Sequence, residues 1–561
     1  MSLRWRRRID VALFLIGVSI GMFALHTLTD FSVGRLDWWR YYLESVLIDH
    51  SFPLPYTSYF VMGPVLGLVL AIIARIGMRF TAYGDARYAN KREIASYGLM
   101  ADSGMVLGAI GRRKMMTTAL RHVMIVAGAR SGKTQGLVIP TLFEYRGAAI
   151  VMDVKGELWD ATAGYRSQFS DCYRLEWTNK ETARYNPISL GVMPKEPSEI
   201  ERRMAQISSV LVARDPGTQS NYFDQDAQRL LNTVLLVEVF DAMHEDRDAE
   251  IINVAHWCSE FSPDVQELAA EKQLSPLTVK LAAAAERALE RDYPRTVAND
   301  LTAFSSMNPR QRDGVTGTLE AELKTFKSGA VETSLSGCDF SARSLVEGDR
   351  PGTVYIVTQS EDRDFVSPMT TALITNVVYS LISRSTEQAS KSHPMLLLLE
   401  EFSSLKKTAA IPEAYDRGAG LGVHIMTVIQ SFTQIRERYG KDSLATFLQN
   451  TDFLVAFSQS DNEARQMLAD MVGKETRTRL SRSESRGGEG YSEGLEGVPL
   501  ILPQDWGAVP FGEHRVLVKQ HHNRPIRSKT PFAYEDAQYS EFMALPAPSS
   551  VRPMDTLEGN D

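Results

Sequence analysis

The stretch AGARSGKTQ, residues 127–135, has the residue types of a loop that binds the phosphates of a nucleotide. It follows the apolar run HVMIVA and precedes a predicted helix. In such a loop the backbone N–H groups and the amino-terminal end of the helix face the phosphates. The pattern therefore predicts that Lys133 reaches the β- and γ-phosphates and that the Thr134 hydroxyl binds Mg²⁺.

The predicted phosphate-binding loop departs from the usual pattern at one position. Its residues are Ala127, Gly128, Ala129, Arg130, Ser131, Gly132, Lys133, Thr134 and Gln135. Ala127 stands where a glycine is usual, and a methyl group is tolerated there if the residue keeps a negative φ. Further on, Pro140 lies inside the predicted helix. Its ring displaces a backbone hydrogen bond, so we expect it to kink the helix or end its regular part about two turns in.

Two adjacent acids follow four leucines in the segment PMLLLLEEF. An enzyme that hydrolyses nucleotides at such a loop needs a carboxylate at the end of a neighbouring strand, to hold the Mg²⁺ water shell and polarise the attacking water. We predict that Glu400 binds Mg²⁺ with Thr134 and that Glu401 is the catalytic base. Asp153 also ends a predicted strand and is a rival acid. Gln430 stands where motor ATPases place a polar sensor of the γ-phosphate.

Short apolar runs predict the strands that position these residues. They are HVMIVA (122–127), AAIVMD (148–153), TVYIVT (353–358), MLLLLE (395–400), VHIMTVI (423–429) and FLVAF (453–457). Continuously apolar strands between helices indicate an α/β fold with a parallel sheet covered on both faces. The tract 197–331 has helical spacing, and we interpret it as an inserted all-α domain. The Gly/Ser-rich segment 478–497 is predicted to be a flexible loop.

Two uncharged apolar runs near the amino terminus predict a membrane anchor. The spans are 11–28 and 59–76, each close to the roughly 20 residues that cross a bilayer as a helix. Arginines precede the first run and follow the second, whereas the short loop between them is richer in acids. The positive-inside rule therefore places both ends in the cytoplasm. A cleaved signal peptide is the alternative, but no small-residue cleavage site follows the first run.

Composition and net charge restrict the possible functions less than the motifs do. The 561 residues carry a formal net charge of -8, which argues against a surface covered with nucleic-acid contacts but leaves room for a basic channel. The three cysteines, Cys172, Cys258 and Cys338, lack metal-ligand spacing and are interpreted as idle thiols in a reducing compartment.

Several longer motifs resemble type IV secretion coupling proteins of the TraG/TraD type. They are GKTQGLVIPTLFEY, VMDVKGELWDATAGYR, YNPI, LLLLEEFSSL, LGVHIMTVIQS and LILPQDWGAVPFGEHRVLV followed by RPIRSKTPFAYED. The resemblance runs from the two predicted spans to the region of Asp536. Pro140 occupies the position in which this family carries a proline.

The resemblance implies a RecA-like P-loop motor with an inserted all-α domain and an N-terminal two-helix transmembrane hairpin. The domains expected are a membrane anchor (1–80), a nucleotide-binding domain (81–196 and 332–536), the inserted domain (197–331) and a disordered tail (537–561). It also implies ATP and Mg²⁺ as ligands, a location in the bacterial inner membrane with the main body in the cytoplasm, and a homo-oligomeric ring of six subunits. In such a ring ATP lies at subunit boundaries, and arginines reach into the neighbouring site. Arg121 matches one family arginine, and Arg417 fits a second with a register offset.

The function that the resemblance implies is ATP-driven transfer of single-stranded DNA, joined to its relaxase, into a secretion channel, with the channel components and their sister ATPases as partners. Basic residues are the candidates for gripping DNA phosphates. They are Lys324, Lys327, Arg477, Arg479, Arg482 and Arg486. A second hypothesis is a docking receptor that delivers protein effectors. A third is a septal DNA pump, which fits the motor but not the motifs LVIPTLFEY and KGELWDATAGYR.

Overall fold

The computed structural model describes most of the chain after residue 80. The described residues are 81–118, 121–212, 222–440, 442–485 and 488–549, with eight isolated helical positions between 15 and 69. Apart from those positions, the predicted spans 11–28 and 59–76 lie outside the described residues. The chain divides into two compact units. The first is Met1–Arg87 with Ala469–Leu502, and the second is Tyr88–Leu468 with Pro503–Asp561.

An 11-stranded sheet forms the core of the second unit. Its strands are β1 (Met105–Ile110), β2 (Arg113–Thr117), β3 (Val123–Val126), β4 (Ala148–Val154), β5 (Asp171–Glu176), β6 (Gly352–Thr358), β7 (Met395–Leu399), β8 (Val423–Ile429), β9 (Phe453–Ala456), β12 (Glu513–Val518) and β13 (Ile526–Lys529). The spatial order is β2-β1-β13-β12-β9-β3-β8-β7-β4-β6-β5. The run from β9 to β5 is parallel, and the four strands at the other edge are antiparallel.

The prediction of a mostly parallel α/β sheet is confirmed, and all six apolar runs form strands next to one another. Strands β3 and β7 are fully buried along their length, as their uninterrupted apolar sequences require. The other five strands, β1, β2, β5, β12 and β13, were not predicted. Strand β5 reads DCYRLE and is only half-buried over its first four residues, so it lacks the apolar signal of the central strands.

Helices cover the sheet and fill the segment between β5 and β6. They are α1 (Lys91–Ser96), α2 (Ile139–Glu144), α3 (Glu157–Arg166), α4 (Pro197–Leu211), α5 (Tyr222–His244), α6 (Ile251–His256), α7 (Pro263–Lys272), α8 (Pro276–Glu290), α9 (Arg295–Ser305), α10 (Pro309–Leu323), α11 (Glu332–Leu335), α12 (Ala342–Glu347), α13 (Arg363–Ile382), α14 (Thr386–Ser390), α15 (Ala410–Glu413), α16 (Thr433–Tyr439), α17 (Ser443–Asn450), α18 (Asn462–Val472), α19 (Pro503–Gly507) and α20 (Ala537–Met543).

The tract from 197 to 331 is helical where it is described. Helices α4 to α10 follow one another, and the described residues 197–212 and 222–331 contain no strand. These helices belong to the same compact unit as the sheet. Their status as a separate inserted domain therefore stays a prediction.

Two segments differ from their predicted states. The segment 478–497, expected to be a flexible loop, forms most of an antiparallel pair, β10 (Lys474–Ser485) with β11 (Gly488–Pro499). Backbone hydrogen bonds define this ladder, and they do not require apolar side chains. The expected disordered tail begins with α20, whose Phe542 ring stacks on Tyr165 with 3.7 Å between the ring centroids. Burial of aromatic rings thus orders the start of this segment.

Among the described residues, one helix is long and apolar enough to cross a membrane. It is α13, Arg363–Ile382, and 83% of its most apolar window is buried inside the protein. Its apolar character is explained by its packing as a core helix.

Candidate nucleotide-binding site

The predicted phosphate-binding loop leaves the carboxyl end of β3 and turns sharply into a helix. Arg130 and Gly132 have φ values of 58° and 84°, in the left-handed region. A Cβ atom on Gly132 would lie 2.6 Å from Cε1 of Phe532, so this position needs glycine for both backbone and space. Ala127 keeps a negative φ and donates its N–H to the carbonyl of Ile429 over 2.9 Å. The methyl group of Ala127, which stands where the usual pattern has glycine, is therefore accommodated.

The helix is irregular before Pro140, and its regular part begins beside this residue instead of ending there. Residues Thr134–Val138 form a π-helical turn, and the regular helix α2 begins only at Ile139. Pro140 thus falls in the first turn of α2, where its missing N–H leaves no regular hydrogen bond broken. The helix ends at Glu144.

The hydroxyl of Thr134 donates a hydrogen bond to Oε1 of Glu400. Sheet order explains this meeting, because β8 alone separates β3 from β7 and the three strands are parallel. The carboxyl ends of these three strands therefore lie side by side. Burial raises the pKa of Glu400 above its usual range, while the Thr134 hydrogen bond and the charge of Lys133 lower it. A hydroxyl, a carboxylate and an ammonium group converge here.

Glu401 lies beside an arginine that sequence reasoning did not find. Nη1 of Arg363, the first residue of α13, is 3.2 Å from Oε1 of Glu401. The hydroxyl of Ser404 donates to the Glu401 backbone carbonyl over 2.7 Å, which closes the turn after β7. Two helices and a strand, α13, α14 and β7, separate Arg363 from Glu401, so a local motif does not reveal the contact.

Asp153, the rival acid, holds the start of α3. Its carboxylate accepts the backbone N–H groups of Leu158 and Trp159 over 3.0 and 2.7 Å. Burial raises its pKa to about 7, against the lowering by these two hydrogen bonds, and the nearby charge of Glu400 raises it further. The structure thus brings Glu400, rather than Asp153, into hydrogen-bond contact with Thr134.

The remaining predicted residues lie at opposite ends of the parallel strands. Gln430 follows β8 on the same edge as the loop and is exposed. Arg121 and Arg417 lie instead before the amino ends of β3 and β8, on the opposite edge. Arg121 donates through Nη1 to the Tyr97 carbonyl over 3.4 Å, and Arg417 is exposed. Neither arginine is brought to the loop of its own chain.

The basic candidates for DNA contact are partly engaged within the chain. Nζ of Lys327 donates to Oγ of Ser259 over 2.9 Å. In the β10–β11 pair, Arg477 lies in contact with Glu475, and Arg479 is 3.7 Å from Glu496.

The loop also carries polar atoms suited to a ligand. The hydroxyl of Ser131 and Oε1 of Gln135 are buried without a hydrogen-bond partner among the described residues. Buried polar atoms are normally paired, so such atoms inside a phosphate-type loop fit a bound anion and its water. The paired oxygen atoms of Thr134 and Glu400 fit Mg²⁺, which takes few protein ligands and completes its shell with phosphates and water.

Comparison with known proteins finds relatives along most of the chain and a shared fold. The chain is 25% identical to the conjugal transfer protein TraG of Escherichia coli, covering 88% of this chain and 85% of that protein. It is 26% identical to protein VirD4 of Agrobacterium fabrum, with 91% and 75% covered. The plasmid coupling protein TrwB in complex with ADP and Mg²⁺ shares the fold, with a TM-score of 0.58, 14% identity and coverage of 80% of this chain and 94% of that chain.

The family described as type IV secretory system conjugative DNA transfer matches residues 87–554, which is most of the chain. The motif-based resemblance to coupling proteins is thereby confirmed. This protein belongs to the type IV secretory system conjugative DNA transfer family.

Proposed function

We propose that the protein is an ATPase that binds Mg²⁺-ATP at the loop 127–135. The observation that carries this proposal is the contact between Thr134 and Glu400 beside Lys133. These three groups supply a cation for the terminal phosphates and two oxygen ligands for the metal. The solved complexes of TrwB with ADP and Mg²⁺ and of TrwB with a non-hydrolysable ATP analogue support the same ligands.

Each side chain then has a distinct role in hydrolysis. Lys133 and the backbone N–H groups of the loop bind the phosphates. Thr134 and Glu400 would hold Mg²⁺, which would supply positive charge opposite the phosphates. Glu401 accepts a proton from the attacking water. Gln430, at the same sheet edge, orients that water or senses the γ-phosphate. Arg363 holds the carboxylate of Glu401 in place.

The site is joined to the helices between β5 and β6 by polar contacts. Nζ of Lys406, in the turn that follows the acid pair, lies 2.9 Å from Oε2 of Glu322 in α10. Nη1 of Arg203 in α4 donates to Oγ of Ser380 in α13 over 3.0 Å. Arg363, which forms an ion pair with Glu401, is the first residue of α13. Movement of the acid pair would therefore be transmitted through α13 to these helices. We propose that this connection turns hydrolysis into movement of a substrate.

The proposed substrate is single-stranded DNA with an attached relaxase, moved towards a secretion channel by a six-membered ring. The conjugative DNA transfer family supports this choice over a septal DNA pump. Delivery of protein effectors is the second candidate, because the motor would be the same in both.

We also propose that the amino-terminal segment anchors the protein in the inner membrane with the main body in the cytoplasm. The apolar side chains described there are helical and exposed. They are Leu15, Ile16, Val65, Leu68 and Val69. Exposed apolar side chains on helices suit the hydrocarbon of a bilayer. Their positions fall within the two apolar runs of the sequence.

The test is the ATPase rate of the detergent-solubilised full chain with and without a single-stranded oligonucleotide. Polyglutamate of matched charge is the control, because it supplies a polyanion without bases. Stimulation by DNA and not by polyglutamate is expected. Equal stimulation by both polymers contradicts DNA as substrate. Tight binding of an effector's C-terminal tail without stimulation by DNA favours the second candidate.

A further inference from the structure

Three aromatic rings form a stack beside the phosphate-binding loop. Phe511 and Phe532 have ring centroids 5.2 Å apart with planes inclined by 16°, and Phe532 and Tyr534 have centroids 5.2 Å apart at 14°. We call these three residues the aromatic ladder. The middle ring is buried, whereas Phe511 is 70% exposed and Tyr534 is 54% exposed.

The ladder reaches the loop through its glycines. A Cβ on Gly132 would lie 2.6 Å from Cε1 of Phe532 and 3.5 Å from Cε2 of Phe511. A Cβ on Gly136 would lie 1.9 Å from Cγ2 of Thr530, in the same segment as Phe532. The chain after β13 therefore lies directly against the first turn of the helix that follows the loop. The exposed ring of Phe511 thus stands next to the place where phosphates would bind.

Exposed aromatic rings of this kind are suited to binding a ligand. A phenylalanine that is 70% exposed leaves an apolar ring in water, and here the ring extends an ordered stack rather than standing alone. Aromatic rings held in parallel planes are platforms for the π-face of a nucleobase. The base of a nucleotide is tethered to its phosphates through the ribose, so a base platform must lie close to the phosphate loop. The ladder meets that requirement.

We propose that the ladder binds the purine base of the nucleotide held at the loop 127–135, with the base stacked on Phe511. The proposal rests on the proposed nucleotide-binding function. Stacking recognises the area of a ring and not its hydrogen-bonding edge. The ladder therefore prefers purines to pyrimidines and accepts adenine and guanine alike. Phe532 supports the platform from below, and Tyr534 extends it on the far side.

The test compares Phe511→Ala with the unchanged full chain in binding of Mg²⁺-ATP and of inorganic tripolyphosphate, which has the phosphates but no base. The Kd for ATP should rise roughly tenfold while the Kd for tripolyphosphate stays the same. Phe511→Trp should restore the affinity for ATP. Phe511→Leu, which keeps an apolar side chain but loses the π-face, should not restore it. Tyr534→Ala is the matched control at the far end of the ladder and should have the smaller effect.

Three results would overturn the proposal. An unchanged Kd for ATP in Phe511→Ala would show that the base does not stack on Phe511. An equal rise for ATP and tripolyphosphate shows a distorted phosphate loop instead. A change in oligomeric state with an unchanged Kd assigns the ladder to contact with a second copy of the chain. An unchanged chain that binds neither ligand refutes the nucleotide-binding function itself, which separates the two failures.

Discussion

At the scale of single residues, the candidate site is built from a few side chains that meet at one edge of the sheet. Thr134 and Glu400 are in contact, and Glu401 follows directly in the chain. All three could be predicted because each lies in a contiguous motif after an apolar strand. Arg363 and the ring of Phe511 could not, since they come from distant segments and reach the site only through the fold.

Arg363 should act as a positioning residue for Glu401. In Arg363→Ala the carboxylate loses its ion pair, so kcat for ATP hydrolysis should fall roughly tenfold through misplacement of the base. Nucleotide affinity should be unchanged, because Arg363 is not placed at the phosphates. Arg363→Lys should recover part of kcat, since it keeps the charge. Steady-state rates and nucleotide Kd, measured separately, check both statements.

Arg350 offers a matched control for that experiment. It forms a 3.6 Å ion pair with Asp171 at a comparable exposure, before the amino end of β6 and away from the loop. Arg350→Ala should leave kcat unchanged. If Arg350→Ala and Arg363→Ala lower kcat equally, loss of fold rather than loss of positioning is the cause.

At the scale of elements, prediction succeeded for the central parallel strands of the sheet. The central strands are apolar throughout because helices cover both faces of the sheet, and such runs are visible in the sequence. Of the strands that were not predicted, the edge strands β2 and β5 carry polar, partly exposed residues. Strands β1 and β12 are almost wholly buried, but Gly108 interrupts the apolar run of β1 and β12 begins with the polar residues EHR. Strand β13, with the sequence IRSK, alternates buried and exposed positions over only four residues. The pair β10–β11 was missed because its Gly- and Ser-rich composition is typical of loops.

Asp153, which accepts hydrogen bonds at the start of α3, should make the stability of the folded protein depend on pH. Its pKa is about 7 in the folded protein against 3.8 as the ordinary value. Between these values the folded state binds more protons than the unfolded state, so the contribution of Asp153 to stability is lost as pH rises. Relative to Asp153→Asn, which stays uncharged, the melting temperature of the unchanged chain should fall between about pH 5 and pH 7 and then level off.

Melting curves of the two proteins across that pH range provide the measurement. Titrating groups distant from Asp153, such as buried histidines, contribute equally to both proteins, so the difference reports Asp153 together with its coupling to Glu400. Melting temperatures that run parallel from acid to neutral pH would mean that Asp153 is already ionised in the folded protein.

At the scale of the whole molecule, the two candidate arginines lie on the opposite sheet edge from the loop. Arg121 precedes β3 and the loop follows it, so Arg121 is placed at the far end of its own strand from the nucleotide. This arrangement suits a ring in which that edge faces the neighbouring subunit's site. Ring formation itself was implied by family resemblance and not by any local pattern in the sequence.

Arg121→Ala should bind nucleotide normally but fail to hydrolyse it, because the cation that stabilises the transferring phosphoryl group would be missing from each neighbouring site. Mixed with the unchanged chain, the variant should lower activity by more than its share of the subunits. Hydrolysis rates across a series of mixing ratios check this. A strictly proportional decline, or normal activity of the variant alone, would show that Arg121 does not act between subunits.

In the proposed function, Lys133, Thr134 and the acid pair close around one Mg²⁺-ATP whose hydrolysis drives transfer. The most direct measurement is ATP hydrolysis by Lys133→Ala, purified as the full chain from membranes. We expect membrane insertion and melting temperature to match the unchanged chain, with hydrolysis and conjugative transfer both abolished. Normal hydrolysis, or normal transfer without it, would contradict the claim.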